Sequence, residues 1–144
     1  MSNTLARLGL LILVLLISAV LLWLGRVFVA RQRALALAAE PLADESIPNQ
    51  RNSKVRILVF SSATCTQCHT LQQPVLRTLQ QARGAEIDVL EIDAPASPEL
   101  VKRYHILTVP STVLLNTDGE AFAINYGFAN AEKLQTQINA LLMP

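Results

Sequence analysis

The sequence predicts an α/β domain carried behind one membrane-spanning helix, with the domain's elements in the order β-α-β-α-β-β-α and a mixed four-stranded sheet. Three observations lead there. Leu8 to Gly25 is an almost unbroken apolar run. From Val55 onward, short apolar runs alternate with amphipathic stretches. An Asp118-Gly119 pair separates the last two apolar runs, as a hairpin turn would.

The apolar run comes first in the chain. At 1.5 Å per residue Leu8 to Gly25 covers roughly 27 Å, close to the roughly 30 Å hydrocarbon core of a bilayer. Extension to Ala30 spans it comfortably, with Arg26 snorkelling to the headgroups and Trp23 near the interface. A cleaved signal peptide is the rival, with Ala36-Leu37-Ala38 as a small-residue cleavage site. Arg26, Arg31 and Arg33 lie in between, however, and the run is long. A buried core helix does not fit, because the run has no polar face. The expected plan is an anchor with helical extension over 1–40, a linker over 41–54 and a soluble domain over 55–144. Pro41 ends the helix, and Pro, Asn, Ser, Asp and Glu without periodicity follow it. Arg7 is the basic side chain ahead of the span, and three arginines follow it, so the positive-inside rule places the domain in the cytoplasm. The extracytoplasmic side is the alternative.

Val55 to Phe60 is continuously apolar and reads as a buried strand. Thr66 to Ala82 is predicted helical, with Leu71, Val75, Leu76 and Leu79 on one face and a kink at Pro74. Glu86 to Ile92 is the second strand. Ser97-Pro98-Glu99 opens a short helix, with Ser97 as N-cap, Pro98 at the first position and Glu99 at the positive dipole end. Thr112 to Leu115 and Ala121 to Tyr126 are the third and fourth strands, around the turn Asn116 to Gly119. Asn130 caps a last helix to about Leu142, with Leu134, Ile138, Leu141 and Leu142 facing the core. Helical crossovers between the first three strands predict that these run parallel, with the hairpin strand antiparallel.

The chemistry is concentrated in Phe60 to Pro74, which holds the two cysteines of the chain, Cys65 and Cys68. Two cysteines form no structural framework, and so short a loop stabilises little. A strand that delivers C-x-x-C to a helix start suits thiol–disulfide exchange instead. Free N–H groups and the helix dipole there favour a thiolate, which is the nucleophile. Cys65 at the entrance is then the attacking thiol and Cys68, one turn in, the resolving one. A tetrahedral zinc site needs four ligands, and only His69 and His105 remain as soft partners for the cysteines. His69 adjoins Cys68 in an awkward geometry for sharing one ion, so no metal is expected; no organic cofactor is implied either. A formal net charge of +1 gives no electrostatic case for nucleic acid.

These features, in this order, resemble the thioredoxin superfamily: Cys65-Thr66-Gln67-Cys68 after a strand, Pro74 in the next helix, Thr108-Val109-Pro110 before a strand, the Asp118-Gly119 hairpin, and the closing segment Gly127 to Ile138. The resemblance covers Lys54 to Met143 and implies a shortened thioredoxin fold, without the extra first strand and helix. It further implies that Pro110 is a cis-proline beside the cysteines and that the backbone of Val109 pairs with an extended substrate segment. The sequence departs from the family pattern in four places. Thr64 replaces a Trp, Val59 a buried Asp, Val89 its partner Lys, and Thr66-Gln67 a Gly-Pro pair. The implied function is a monomeric, membrane-anchored protein-disulfide oxidoreductase that exchanges electrons with protein disulfides and with an unidentified donor or acceptor. The rivals are a redox-inactive adaptor and a chaperone for a soft metal such as copper.

Overall fold

The structure, a computed structural model, describes residues 2–41 and 53–143. Most of the expected linker, residues 42–52, lies outside the described residues. The chain divides into two compact units, Met1–Ala34 and Leu35–Pro144. The first is occupied by helix α1 (Ser2–Leu37), which contains the one helix among the described residues long and apolar enough to cross a membrane, Arg7–Leu37. The large apolar residues from Leu8 to Phe28 are exposed. α1 ends at Leu37, and the amide of Ala39 reaches back to the carbonyl of Ala36, so the helix closes ahead of Pro41.

The second unit is the expected α/β fold. β1 (Val55–Ser61), β2 (Ile87–Asp93), β3 (Ser111–Leu115) and β4 (Ala121–Tyr126) form one mixed sheet in the order β2-β1-β3-β4. β1 and β2 pair in parallel, while β1–β3 and β3–β4 are antiparallel. The expectation of three parallel strands therefore fails at β3. The reason lies in α3 (Pro98–Arg103), whose six residues span only about 9 Å and do not carry the chain back across the sheet. β3 starts at the end where β1 finishes, with Ser111 opposite Phe60.

α3 opens at Ser97, but the Ser97 side chain makes no cap bond; its carbonyl accepts from Val101 instead. The helix closes on His105, whose φ is +48°. Its N–H reaches the carbonyl of Lys102, and the next N–H, Ile106, reaches Val101 at 2.9 Å. That double closure with a left-handed residue past the end is a Schellman cap.

Strand alternation places two apolar clusters on opposite faces of the sheet. Leu58 and Phe60 join Ile92, Tyr104, Val113, Leu115, Ile124 and Ala36 on one face. Val55, Ile57 and Val59 join Leu76 and Leu79 of α2 (Gln73–Arg83) and Leu134 and Ile138 of α4 (Ala131–Leu142) on the other. Each fully buried aliphatic side chain contributes roughly 1.5–3 kcal/mol. α4 is capped as expected, with Asn130 accepting from the amide of Lys133 at 2.9 Å. The hairpin turn is held by Asn116, whose Oδ1 accepts from the amides of Asp118 and Glu120.

Candidate active site

Cys65 ends the loop that follows β1, and Cys68 lies in the helical segment just after it. Cys65 and Cys68 form a disulfide, with their Cα atoms 5.3 Å apart. Cys65 is half-buried and Cys68 is 1% exposed, so a partner reaches the first sulfur and not the second. The N–H of Cys68 donates to Sγ of Cys65 at 3.2 Å. A donor aimed at that sulfur stabilises negative charge on it when the disulfide opens. His69, the next residue, is exposed.

Helical structure starts at Thr66 but is not regular. Cys68–Gln72 form a π-helical turn, closed by the amide of Gln73 on the carbonyl of Cys68. α2 follows directly, with Pro74 at its start, just past the wider turn that has already interrupted the regular helical hydrogen bonding. The π-turn changes which residues face inward. Leu71, expected on the core face, is exposed, whereas Gln72 is fully buried. The sequence does carry a trace of this: Gln72, Leu76 and Leu79 are spaced as one helical stripe, with a polar residue at its head. A wider turn within a helix is not visible in that spacing.

The same end of the sheet gathers the other site residues. Ser111 pairs with Phe60 on one side and with Tyr126 on the other. The segments before Ser111 and after Tyr126 therefore border the end of β1. The first holds Val109 and Pro110, joined by a cis peptide bond; Pro110 is buried and Val109 half-buried. The second holds Gly127 (φ +80°), the exposed Phe128 and the buried Ala129. A Cβ on Gly127 would meet nothing within 4 Å, so this position is restricted by its backbone angle and not by space. Gln72 bonds both polar groups of Ala129: its Nε2 donates to the carbonyl at 3.1 Å, and its Oε1 accepts from the amide at 2.9 Å. Val59 lies in the cluster beneath α2 and α4 as an ordinary core residue. Among the described residues, no group of three or more His, Cys, Asp or Glu side chains is arranged to hold a metal ion.

Comparison with known proteins agrees with this geometry. Residues 30–139 match the family model of TraF, the F plasmid transfer operon protein. None of the curated proteins matches the chain. Thioredoxins are among the solved structures similar to it. The germline-specific thioredoxin Deadhead of Drosophila melanogaster is 25% identical with a TM-score of 0.56, over 63% of this chain and 84% of that one. Mitochondrial thioredoxin 3 of Saccharomyces cerevisiae, in its oxidized form, is 26% identical with a TM-score of 0.54, over 62% and 81%. A thioredoxin variant of Halobacterium salinarum is 27% identical with a TM-score of 0.55, over 63% and 77%.

Proposed function

Because the chain belongs to the TraF family of F plasmid transfer operon proteins and carries a thioredoxin-like fold with a C-x-x-C pair, we propose that it is a membrane-anchored thiol–disulfide oxidoreductase acting on protein disulfides. The observation that carries this reading is the asymmetry of the pair. Cys65 is reachable and receives an N–H donor, whereas Cys68 is buried behind it.

In the reducing direction the Cys65 thiolate attacks one sulfur of a substrate disulfide, and the other substrate sulfur leaves as a thiolate. Cys68 then loses its proton and attacks Sγ of Cys65. The second substrate thiolate leaves, and the internal disulfide closes. Two enzyme thiols are oxidised and one substrate disulfide becomes two thiols. A dithiol donor regenerates the enzyme by the same exchange. Run backwards, the same steps oxidise a substrate.

Val109 stands ahead of β3, outside the sheet ladder. In this reading its backbone pairs with an extended substrate segment, and the ring of Pro110 fills the space beside the sulfurs. The exposed ring of Phe128 forms the facing wall. Helix α1 holds the enzyme at the bilayer, with the arginines after the span favouring a cytoplasmic domain.

Thiol titration of the full chain before and after a mild oxidant tests the redox reading. Two thiols lost together, restored by a dithiol and coupled to reduction of a protein disulfide, support it. Thiols that survive the oxidant indicate an adaptor. A stoichiometric soft metal removed by a chelator indicates a metal chaperone.

A further inference from the structure

Gln72 is the one side chain that joins the cysteine-bearing turn to the loop after β4 by a paired hydrogen bond, among the described residues. It is fully buried, and Cys68 and Gln72 are the two buried residues of the π-turn. Its carboxamide meets the Ala129 peptide with a donor and an acceptor at once, so neither buried polar group is left unmatched. The two ends of this clamp have distinct partners. One end fixes the turn that carries Cys68. The other fixes the segment Gly127 to Ala129, which leaves β4 beside Ser111 and the Val109–Pro110 segment.

We propose that Gln72 is a positioning residue for mixed-disulfide resolution: it holds the Cys68 turn against the Ala129 loop while Cys65 is bonded to substrate. The proposal rests on the oxidoreductase reading. During the first exchange the reacting sulfur, Cys65, lies ahead of the π-turn, and its Cys68 N–H donor is held locally, the amides of Cys68 and His69 both reaching the carbonyl of Cys65. In the second exchange Cys68 must approach Sγ of Cys65 from inside the protein after the internal disulfide has opened. At that stage the covalent link between Cys65 and Cys68 is gone, and the Gln72–Ala129 pair still ties the turn to the loop after β4. Small displacements of a reacting group cost large factors in rate.

The test uses the reduced full chain in detergent with the aromatic disulfide 5,5′-dithiobis(2-nitrobenzoate). Attack by Cys65 releases one coloured thiolate and leaves the other bonded to the protein. Resolution by Cys68 releases the second and closes the protein disulfide, so one trace reads both steps. Gln72→Met keeps the side chain's length and removes both hydrogen bonds. It is expected to slow the second release by about tenfold or more, and to leave the first within about twofold of the parent. The control is Gln137→Met. It breaks a part-buried amide pair, Asn125–Gln137, which joins β4 to α4 and bonds neither the cysteine-bearing turn nor the Ala129 loop. The control is expected to leave the second release unchanged at a comparable loss of thermal stability. An unslowed second release in Gln72→Met overturns the proposal, as does equal slowing of both steps or equal slowing in Gln137→Met.

Should Gln72→Met not fold, the parent chain supplies the readout. Hydrogen exchange at the Ala129 amide is expected to stay protected both in the disulfide form and in a mixed disulfide trapped with Cys68→Ser. Exchange at open-loop rates in the trapped form overturns the proposal. A parent chain that releases neither thiolate sinks the oxidoreductase reading itself, which is a different outcome from normal turnover that is indifferent to Gln72.

Discussion

The backbone N–H of Cys68 points at the sulfur of Cys65, 3.2 Å away, while the sulfur of Cys68 is buried. One residue thus supplies the donor that activates its neighbour and keeps its own sulfur out of reach. The expected consequence is a division of labour. Cys68→Ser retains the amide donor and removes the resolving thiol, so it accumulates mixed disulfides through Cys65. Cys65→Ser leaves only the buried thiol and captures at least about tenfold less. Non-reducing gels of the full chain with a protein disulfide substrate check this, and equal capture by both variants would reverse or erase the roles.

The proposed cytoplasmic orientation of the domain rests on charge. One arginine precedes the apolar run and three follow it closely. A reporter fused after Met143 is expected to be active if it works only in the cytoplasm, and silent if it works only outside. The opposite pattern would place the C-x-x-C on the extracytoplasmic side and link it to the oxidising or reducing partners found there.

Much of the site could be read from local patterns, because its signals are local. Cys65 and Cys68 follow a continuous apolar strand, Val109 and Pro110 precede another, and Asn130 sits one residue ahead of an amphipathic helix. Each of these depends on neighbours within a few positions. Features set by distant partners were not legible. The direction of β3 depends on how far α3 carries the chain, and α3 is stopped by His105 in a left-handed conformation that a sequence does not announce for histidine. The burial of Gln72 depends on a partner, Ala129, that is 57 positions away. The π-turn that turns it inward shifts the stripe by one residue and exposes Leu71. Ala36 belongs by pattern to the apolar helix, yet it is buried with Phe60 and Tyr104 in the core of the second unit.

His105 offers a stability test of that helix end. Its φ of +48° is a conformation in which a side chain's Cβ crowds the following carbonyl. The strain is roughly 1–2 kcal/mol for an L-residue, against roughly 0.5–1 kcal/mol of extra chain entropy lost by glycine on folding. The first is larger, so His105→Gly is expected to raise stability by about 0.5–1 kcal/mol. Urea unfolding of the parent and variant measures it. A clear loss of stability would mean that the imidazole makes contacts worth more than the strain.

Tyr104 supplies the last test, through pH. Its ring is buried edge-on to Phe60, with the ring centres 6.3 Å apart, and its hydroxyl has no hydrogen-bond partner among the described residues. Burial pushes its pKa up to about 12, against the opposing pull of the Arg103 charge. The folded protein therefore holds this proton at a pH where the unfolded chain, with an ordinary value of 10.0, has released it. Between those two values the unfolded state binds fewer protons than the folded state, so stability falls as pH rises. The fall starts near pH 10, is complete near pH 12, and amounts to something on the order of 2 kcal/mol. Below pH 10 the group is protonated in both states and contributes no slope. Tyr104→Phe removes the titrating group and the unpaired hydroxyl together and keeps the ring against Phe60. It is expected to abolish this part of the alkaline loss and to raise stability near pH 7 by about 1 kcal/mol. Denaturant unfolding of both proteins at a series of pH values from 8 to about 12 decides it. A variant with the same alkaline slope as the parent would show that Tyr104 is not the titrating group, and a destabilised variant near pH 7 would show that its hydroxyl is bonded after all.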